Sequence, residues 1–125
     1  MATQAMETKQ SLTWLIDSGC TSHMAKDASL FSFLNENVKS SIKLENGEVV
    51  QAKGRGSISI NTKRGIKVIL NVLYIPELDQ NLLSIAQMMK NGYSVSFIDN
   101  CCIILNKHSF EIARVKMTGN SFYLN

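Results

Sequence analysis

Long apolar runs are missing from this 125-residue chain, and so is a strong charge of either sign. No stretch approaches the ~20 consecutive apolar residues of a membrane-spanning helix, so no membrane partner is expected. Residues 1–10 are polar and lack the apolar segment of a secretory signal. The net charge of +3 is spread along the chain. Its densest group, Lys63, Arg64 and Lys67, is too small for a nucleic-acid footprint, and direct nucleic-acid binding is not expected. There are three cysteines, Cys20, Cys101 and Cys102. An odd count with an adjacent pair is no disulfide framework, and reduced, intracellular thiols are the simpler reading. CxxC spacing is absent, and the two histidines, His23 and His108, lie far apart. No metal and no cofactor is expected from such a set. Proline occurs once, at Pro76, and low-complexity segments, linkers and tandem repeats are absent.

What is present suits a single domain. Hydrophobic residues make up 45% and charged residues 18%, ordinary values for a globular protein. We read residues 1–11 as a flexible lead and residues 12–125 as the domain. Short runs of β-type residues between turn signals dominate. A first strand spans 12–16. Residues 27–34 suit a short helix with Asp27 as its N-cap. Alternation over 41–45 and 48–52 around Asn46-Gly47 predicts a hairpin. Gly54-Arg55-Gly56 breaks the next stretch. Strands follow at 57–60 and 66–74, about a polar turn at 61–65. The near-continuous apolar run from Val68 to Leu73 reads as a strand covered on both faces. Pro76 ends it. Apolar residues at helical spacing predict a helix over 82–90, stopped by Asn91-Gly92. Strands are predicted at 93–98, 101–105, 110–115 and 121–124. The fold class is all-β with one short helix. A closed or nearly closed barrel is expected, because long open edges invite aggregation.

One segment carries chemistry: Trp14-Leu15-Ile16-Asp17-Ser18-Gly19. The apolar strand delivers the Asp17 carboxylate into a turn. Gly19 lets that turn tighten and lets amides approach the carboxylate. The Ser18 hydroxyl can fix neighbouring backbone. Asp-Ser-Gly is also an ordinary turn tripeptide, in which Asp and Ser cap local amides. Its setting favours the chemical reading: a strongly apolar strand precedes it, and a glycine-tipped hairpin that could close over a substrate follows. Two such loops face to face would bring two carboxylates together. The pair would then share a proton, one member acting as general base on water and the other polarising a scissile carbonyl. Asp27, Asp79 and Asp99 are not followed by Ser/Thr-Gly, so the second loop has to come from a second copy in a two-fold homodimer.

The stretch Trp14-Leu-Ile-Asp-Ser-Gly-Cys-Thr-Ser-His-Met24 resembles the protease domain of copia-type (Pseudoviridae) LTR retrotransposon Gag-Pol polyproteins, particularly plant ones. Glu45-Asn-Gly47, Gly54-Arg-Gly56, Val72-Leu-Tyr-Ile-Pro-Glu-Leu78 and Asn81-Leu-Leu-Ser84 resemble it too. So do Gly92-Tyr-Ser-Val-Ser-Phe97 and Met117-Thr-Gly-Asn-Ser-Phe-Tyr-Leu124. Together they extend the likeness over 12–124. The resemblance implies a retropepsin-like acid protease β barrel with one half-site per chain. Asp17 matches the catalytic aspartate. Ser18 matches the hydroxyl residue that braces the two active-site loops across the dimer, and Gly19 the motif glycine. Asn46 and Gly47 match the tip of a substrate-binding flap, with Gly54 to Gly56 as a competing register. Ser84 stands where retroviral relatives usually have glycine, and Cys20 where alanine is usual. Both terminal strands interleave at the dimer interface of those relatives, so residues 12–14 and 121–124 are implied there. A polyprotein peptide substrate and a cytoplasmic, virus-like-particle location are implied as well.

A Cys20–His23 nucleophile–base pair has no orienting third group in the sequence. We read Cys20 as a buried thiol, His23 as a structural hydrogen-bonding residue, and Cys101-Cys102 as packing. The alternative from a different functional class is a domesticated or inactive retropepsin-like module that dimerises or binds peptides.

Overall fold

A computed structural model describes residues 13–125. The lead read over 1–11, and Leu12 of the first strand, lie outside the described residues. The chain runs through β1 (Trp14–Asp17), β2 (Met24–Ala25), a 3-10 turn (Ala28–Leu30), β3 (Phe31–Asn35), β4 (Ser40–Lys43) and β5 (Val49–Ala52). It continues through β6 (Gly54–Thr62), β7 (Gly65–Tyr74), β8 (Asn81–Ser84) and α1 (Ile85–Lys90). Last come β9 (Ser94–Ile98), β10 (Cys101–Leu105), β11 (Glu111–Thr118) and β12 (Ser121–Leu124). Ten strands form one sheet in the order β3-β6-β7-β2-β8-β1-β12-β11-β10-β9, and β4–β5 is a separate hairpin. The domain is therefore mostly strand with one short α-helix.

β1 sits in the middle of this order. It pairs in parallel with β8, which sets Asp17 opposite Ser84 at the strand ends. Its other edge pairs antiparallel with β12, Trp14 opposite Leu124 and Leu15 opposite Tyr123. Ser121–Leu124 is thus engaged within the chain, and β1 has no free edge. Buried Asn81 holds this centre together. Its Nδ2 donates to the Thr13 carbonyl (3.1 Å) and its Oδ1 accepts from Lys26 N–H (2.9 Å). A buried amide with both ends bonded fixes strand order more sharply than an apolar side chain of that size would.

The order begins at β3 and ends at β9, so no strand ladder joins its two ends. The sheet curls instead until its far parts meet. The Lys63 N–H, in the β6–β7 turn, donates to the Ile112 carbonyl of β11 (3.2 Å). Lys63 pairs with Glu111, and the Arg64 guanidinium lies 4.0 Å from the centre of the Phe110 ring. This cation–π contact and ion pair turn the chain's densest basic group into a structural strut. Arg114 and then Lys63 hold the Glu111 carboxyl down at about 2.

Two apolar clusters fill the interior. The larger joins Trp14, Ile58, Val72, Leu83, Met88, Ile104 and Ile112, and so unites both halves of the curled sheet with α1. The smaller joins Met24, Val50, Ala52, Leu73 and Ile75, with Cys20, Ile42, Leu44 and Leu82 packed against it. Val50 and Ala52 alternate inward along β5. That alternation is what mounts the β4–β5 hairpin on the body of the domain.

Four local expectations change. Residues 27–34 form a single 3-10 turn and then β3: Asp27 does cap, accepting from Ser29 N–H, but pairing with β6 takes the chain from Phe31 onward. Gly54-Arg55-Gly56 lies inside β6 and does not interrupt it. A Cβ on Gly56 would stand 1.8 Å from the Phe33 carbonyl oxygen, so the glycine is there for close strand approach. The run expected to be covered on both faces is so only at its end, where Val72 and Leu73 are both buried; before that one face is open, Ile66, Val68 and Leu70 being 69%, 55% and 60% exposed. Helix α1 begins at Ile85, because residues 81–84 pair with β1 as β8.

Candidate active site

The residues from Asp17 to His23 form the connection between β1 and β2, held open at the end of the parallel β1–β8 pair. Trp14 and Ile16 face the core, so the strand arrives anchored and Asp17 emerges half-buried at its tip. The Gly19 N–H donates to Asp17 Oδ1 at 2.7 Å. This charge-assisted bond fixes the carboxylate's orientation against its own loop. Ser18 and Gly19 are exposed, and the Ser18 hydroxyl has no partner among the described residues.

Behind the loop, Ser84 acts as its bracket. Its Oγ donates to the Cys20 carbonyl (2.8 Å) and accepts from Gln87 N–H (3.1 Å), so it is at once the N-cap of α1 and a tie to the Asp17 loop. A glycine at this position would supply neither bond. The Ser84 N–H donates to His23 Nδ1 at 2.9 Å. Gln87 completes the network: its Oε1 accepts from His23 N–H (2.8 Å), and its Nε2 donates to the carbonyls of Leu70 (3.3 Å) and Asn71 (3.2 Å). Ser84→Ala removes the cap and leaves the Cys20 carbonyl unpaired. Thermal unfolding should show a loss of about 1–2 kcal/mol.

His23 is 1% exposed. With Nδ1 accepting, the neutral ring carries its proton on Nε2, which is buried with no partner among the described residues. Burial pulls the imidazole down to about 4. Its place is structural, and the Cys20–His23 nucleophile pair is not assembled: the Nδ1 lone pair is already engaged by Ser84. Burial, with the nearby Asp17 charge, pushes the Cys20 thiol up to about 11, where it stays protonated and inert. All three cysteines are free thiols.

Asp17 opens into a cavity of ≈ 330 Å³. Leu15, Met24 and Leu82 line its base, and the β7–β8 loop contributes Leu78. The β4–β5 hairpin roofs it, with Leu44, Glu45 and Asn46 on the wall. The structure thus brings Asn46 to the same cavity as Asp17 and Gly19, with Gly47 beside it in the hairpin turn, whereas Gly54 to Gly56 lie in β6. The Glu45 carboxylate rests on the Gly19 backbone, in the space a Cβ would need: Oε1 is 1.2 Å from that position. The missing side chain of Gly19 leaves room for this flexible carboxylate against the loop. Sequence reasoning did not single out Glu45, Ser84 or Gln87 for these roles. Their partners lie tens of residues away, and no local pattern announces them.

Residues 14–93 match the family model described as "Pol polyprotein, beta-barrel domain". β9 to β12 lie beyond that match. A transposon Ty5-1 protein of Saccharomyces cerevisiae is 31% identical over 85 residues, covering 68% of this chain and 56% of that protein. The Retrovirus-related Pol polyprotein from transposon RE1 of Arabidopsis thaliana is 32% identical over 86 residues, 67% of this chain and 6% of its own length. Its counterpart from transposon RE2 of the same plant is 30% identical over 86 residues. The chain therefore spans little more than half of one of these relatives and a small part of the others.

Proposed function

This chain belongs to the Pol polyprotein β-barrel domain family, and on that premise we propose that it is the aspartic endopeptidase of a copia-type retrotransposon, retropepsin-like in fold and carrying half an active site per chain. One observation carries the reading. A loop-fixed carboxylate, Asp17, lines a cavity that the β4–β5 hairpin also lines, and the next two residues are exposed. That face suits contact with a second copy about a two-fold axis.

In the dimer two Asp17 carboxylates share one proton, since like charges at that range do not both stay ionised. The ionised member takes a proton from the bound water. The water oxygen adds to the scissile carbonyl carbon while the protonated member gives its proton to the carbonyl oxygen. The tetrahedral diol then collapses: the amide nitrogen takes up a proton, the C–N bond breaks, and a new carboxyl and a new amine leave. The peptide lies extended beneath the β4–β5 hairpin, bonding through its main chain as an added strand. A polyprotein precursor, cut at boundaries between its parts, is the substrate we assign.

One observation favours the alternative, a non-catalytic dimerising or peptide-binding module. Among the described residues β1 and β12 are each paired on both edges within the chain, so neither offers a free edge for a ladder of terminal strands between two copies. Enzyme concentration separates the two readings. Cleavage of a precursor bearing the flanking junctions should rise with the square of chain concentration below the dimer dissociation constant, and linearly above it. A chain that stays monomeric in sedimentation at every concentration and cuts nothing would favour the module.

A further inference from the structure

We infer that the cleft selects peptides carrying lysine or arginine beside the apolar residues that flank the bond to be cut; this rests on the protease reading and adds the substrate class to it. The chain as a whole is cationic, at +3, yet its cleft is anionic. Of ten aspartates and glutamates, five line this one cavity: Asp17, Glu45, Glu48, Glu77 and Asp79. Among the described residues, Lys43 is the one lysine or arginine that does.

Asp17 apart, these carboxylates line the cavity from two separate segments, which make up its two walls. Glu45 and Glu48 stand on the hairpin, and Glu77 and Asp79 on the loop between β7 and β8. None of them forms an ion pair among the described residues, where the ion pairs present are those of Glu111. Glu77 accepts from Gln51 N–H (3.2 Å), which points one carboxylate oxygen at the base of the hairpin. The walls are not neutralised from within. Like charges gathered around one cleft sum to a negative potential that draws in cations. A cationic side chain entering there relieves the mutual repulsion of both walls, and an anionic one adds to it. Between the walls the base is apolar, with Leu15, Leu78 and Leu82. An extended peptide sends successive side chains to opposite sides. The fitting ligand therefore alternates apolar residues, seated on the base, with basic residues reaching the walls.

The experiment is a paired positional library, one set with Lys or Arg and one with Glu at the positions flanking a fixed apolar core. Wild-type cleavage is read by sequencing the products. Binding to Asp17→Asn chain is read by fluorescence anisotropy at low and high salt. Basic peptides should be cut about three- to tenfold better than acidic ones, the scale of one or two exposed charge pairs, and salt should erode the difference. The double variant Glu48→Lys/Asp79→Lys, one change on each wall, should shrink or reverse the preference while circular dichroism stays unchanged. Equal handling of the two libraries by wild type, or a preference untouched by the double variant, overturns the inference. A basic preference in binding without any cleavage keeps the inference and overturns the protease reading instead.

Discussion

Asp17→Asn lowers the rate of precursor cleavage at least about 10³-fold and leaves the fold standing. The size follows from removing both the base and the proton-sharing acid of a general acid–base pair. The fold survives because, among the described residues, the Asp17 side chain bonds only the Gly19 N–H, and a side-chain amide oxygen can still accept that bond. Mixing adds a second arm. When wild-type and Asp17→Asn chains are combined at equal concentration, about half the dimers are mixed and a quarter remain wild type. Each mixed dimer holds one carboxylate and cannot share a proton between two. Activity should fall toward one quarter of that of an all-wild-type sample at the same total concentration. A fall only to one half would mean that each chain works alone.

Acid destabilises this protein through His23 before its carboxylates matter. The imidazole titrates at about 4 in the folded chain against an ordinary 6.5, because burial disfavours the cation. Between those values the unfolded chain binds a proton and the folded chain does not. Stability from this site is therefore complete above pH 6.5, falls as the pH drops through the window, and is gone below about 4. The loss over the whole window is about 3 kcal/mol. Denaturant midpoints at pH 7 and pH 4.5 should show most of it. His23→Asn, whose side-chain oxygen can still accept from Ser84 N–H, should flatten the dependence in that window. Glu111 titrates lower still, its contribution present above the ordinary carboxylate value of 4.5 and lost on the way down to about 2. The two events are thus separable by pH. Once the His23 ring is charged its Nδ1 can no longer accept from Ser84 N–H, and the Asp17 loop loses that part of its bracket.

The sequence made the strand before Asp17 and the β4–β5 hairpin legible, because each is encoded locally. An apolar run ending in Asp-Ser-Gly and an alternating pattern around Asn46-Gly47 need no distant partner to be recognised. What escaped was decided at long range. Leu82 and Leu83 sit at helical spacing, but parallel pairing with β1 makes them strand. The cap at Asp27 was readable, and yet β6 claims the chain after one turn. Gly54 and Gly56 look like breakers until β3 is placed against them. The His23–Ser84–Gln87 bracket joins residues more than sixty apart in sequence, and the two acidic walls come from separate segments. Of the likeness read over 12–124, the family model supports a Pol polyprotein β-barrel domain over 14–93. The C-terminal strands thus rest on the structure alone, and their most consequential act is to close the second edge of β1.

The claim that each chain supplies one half of a catalytic centre is tested most directly by the separation of the two Asp17 carboxylates in the assembled dimer. A crystal structure of the active form should place both within hydrogen-bond reach, about 3 Å, of one shared water. Carboxylates more than about 10 Å apart in a dimer that still cleaves its precursor would contradict it, since no single water could then serve both groups.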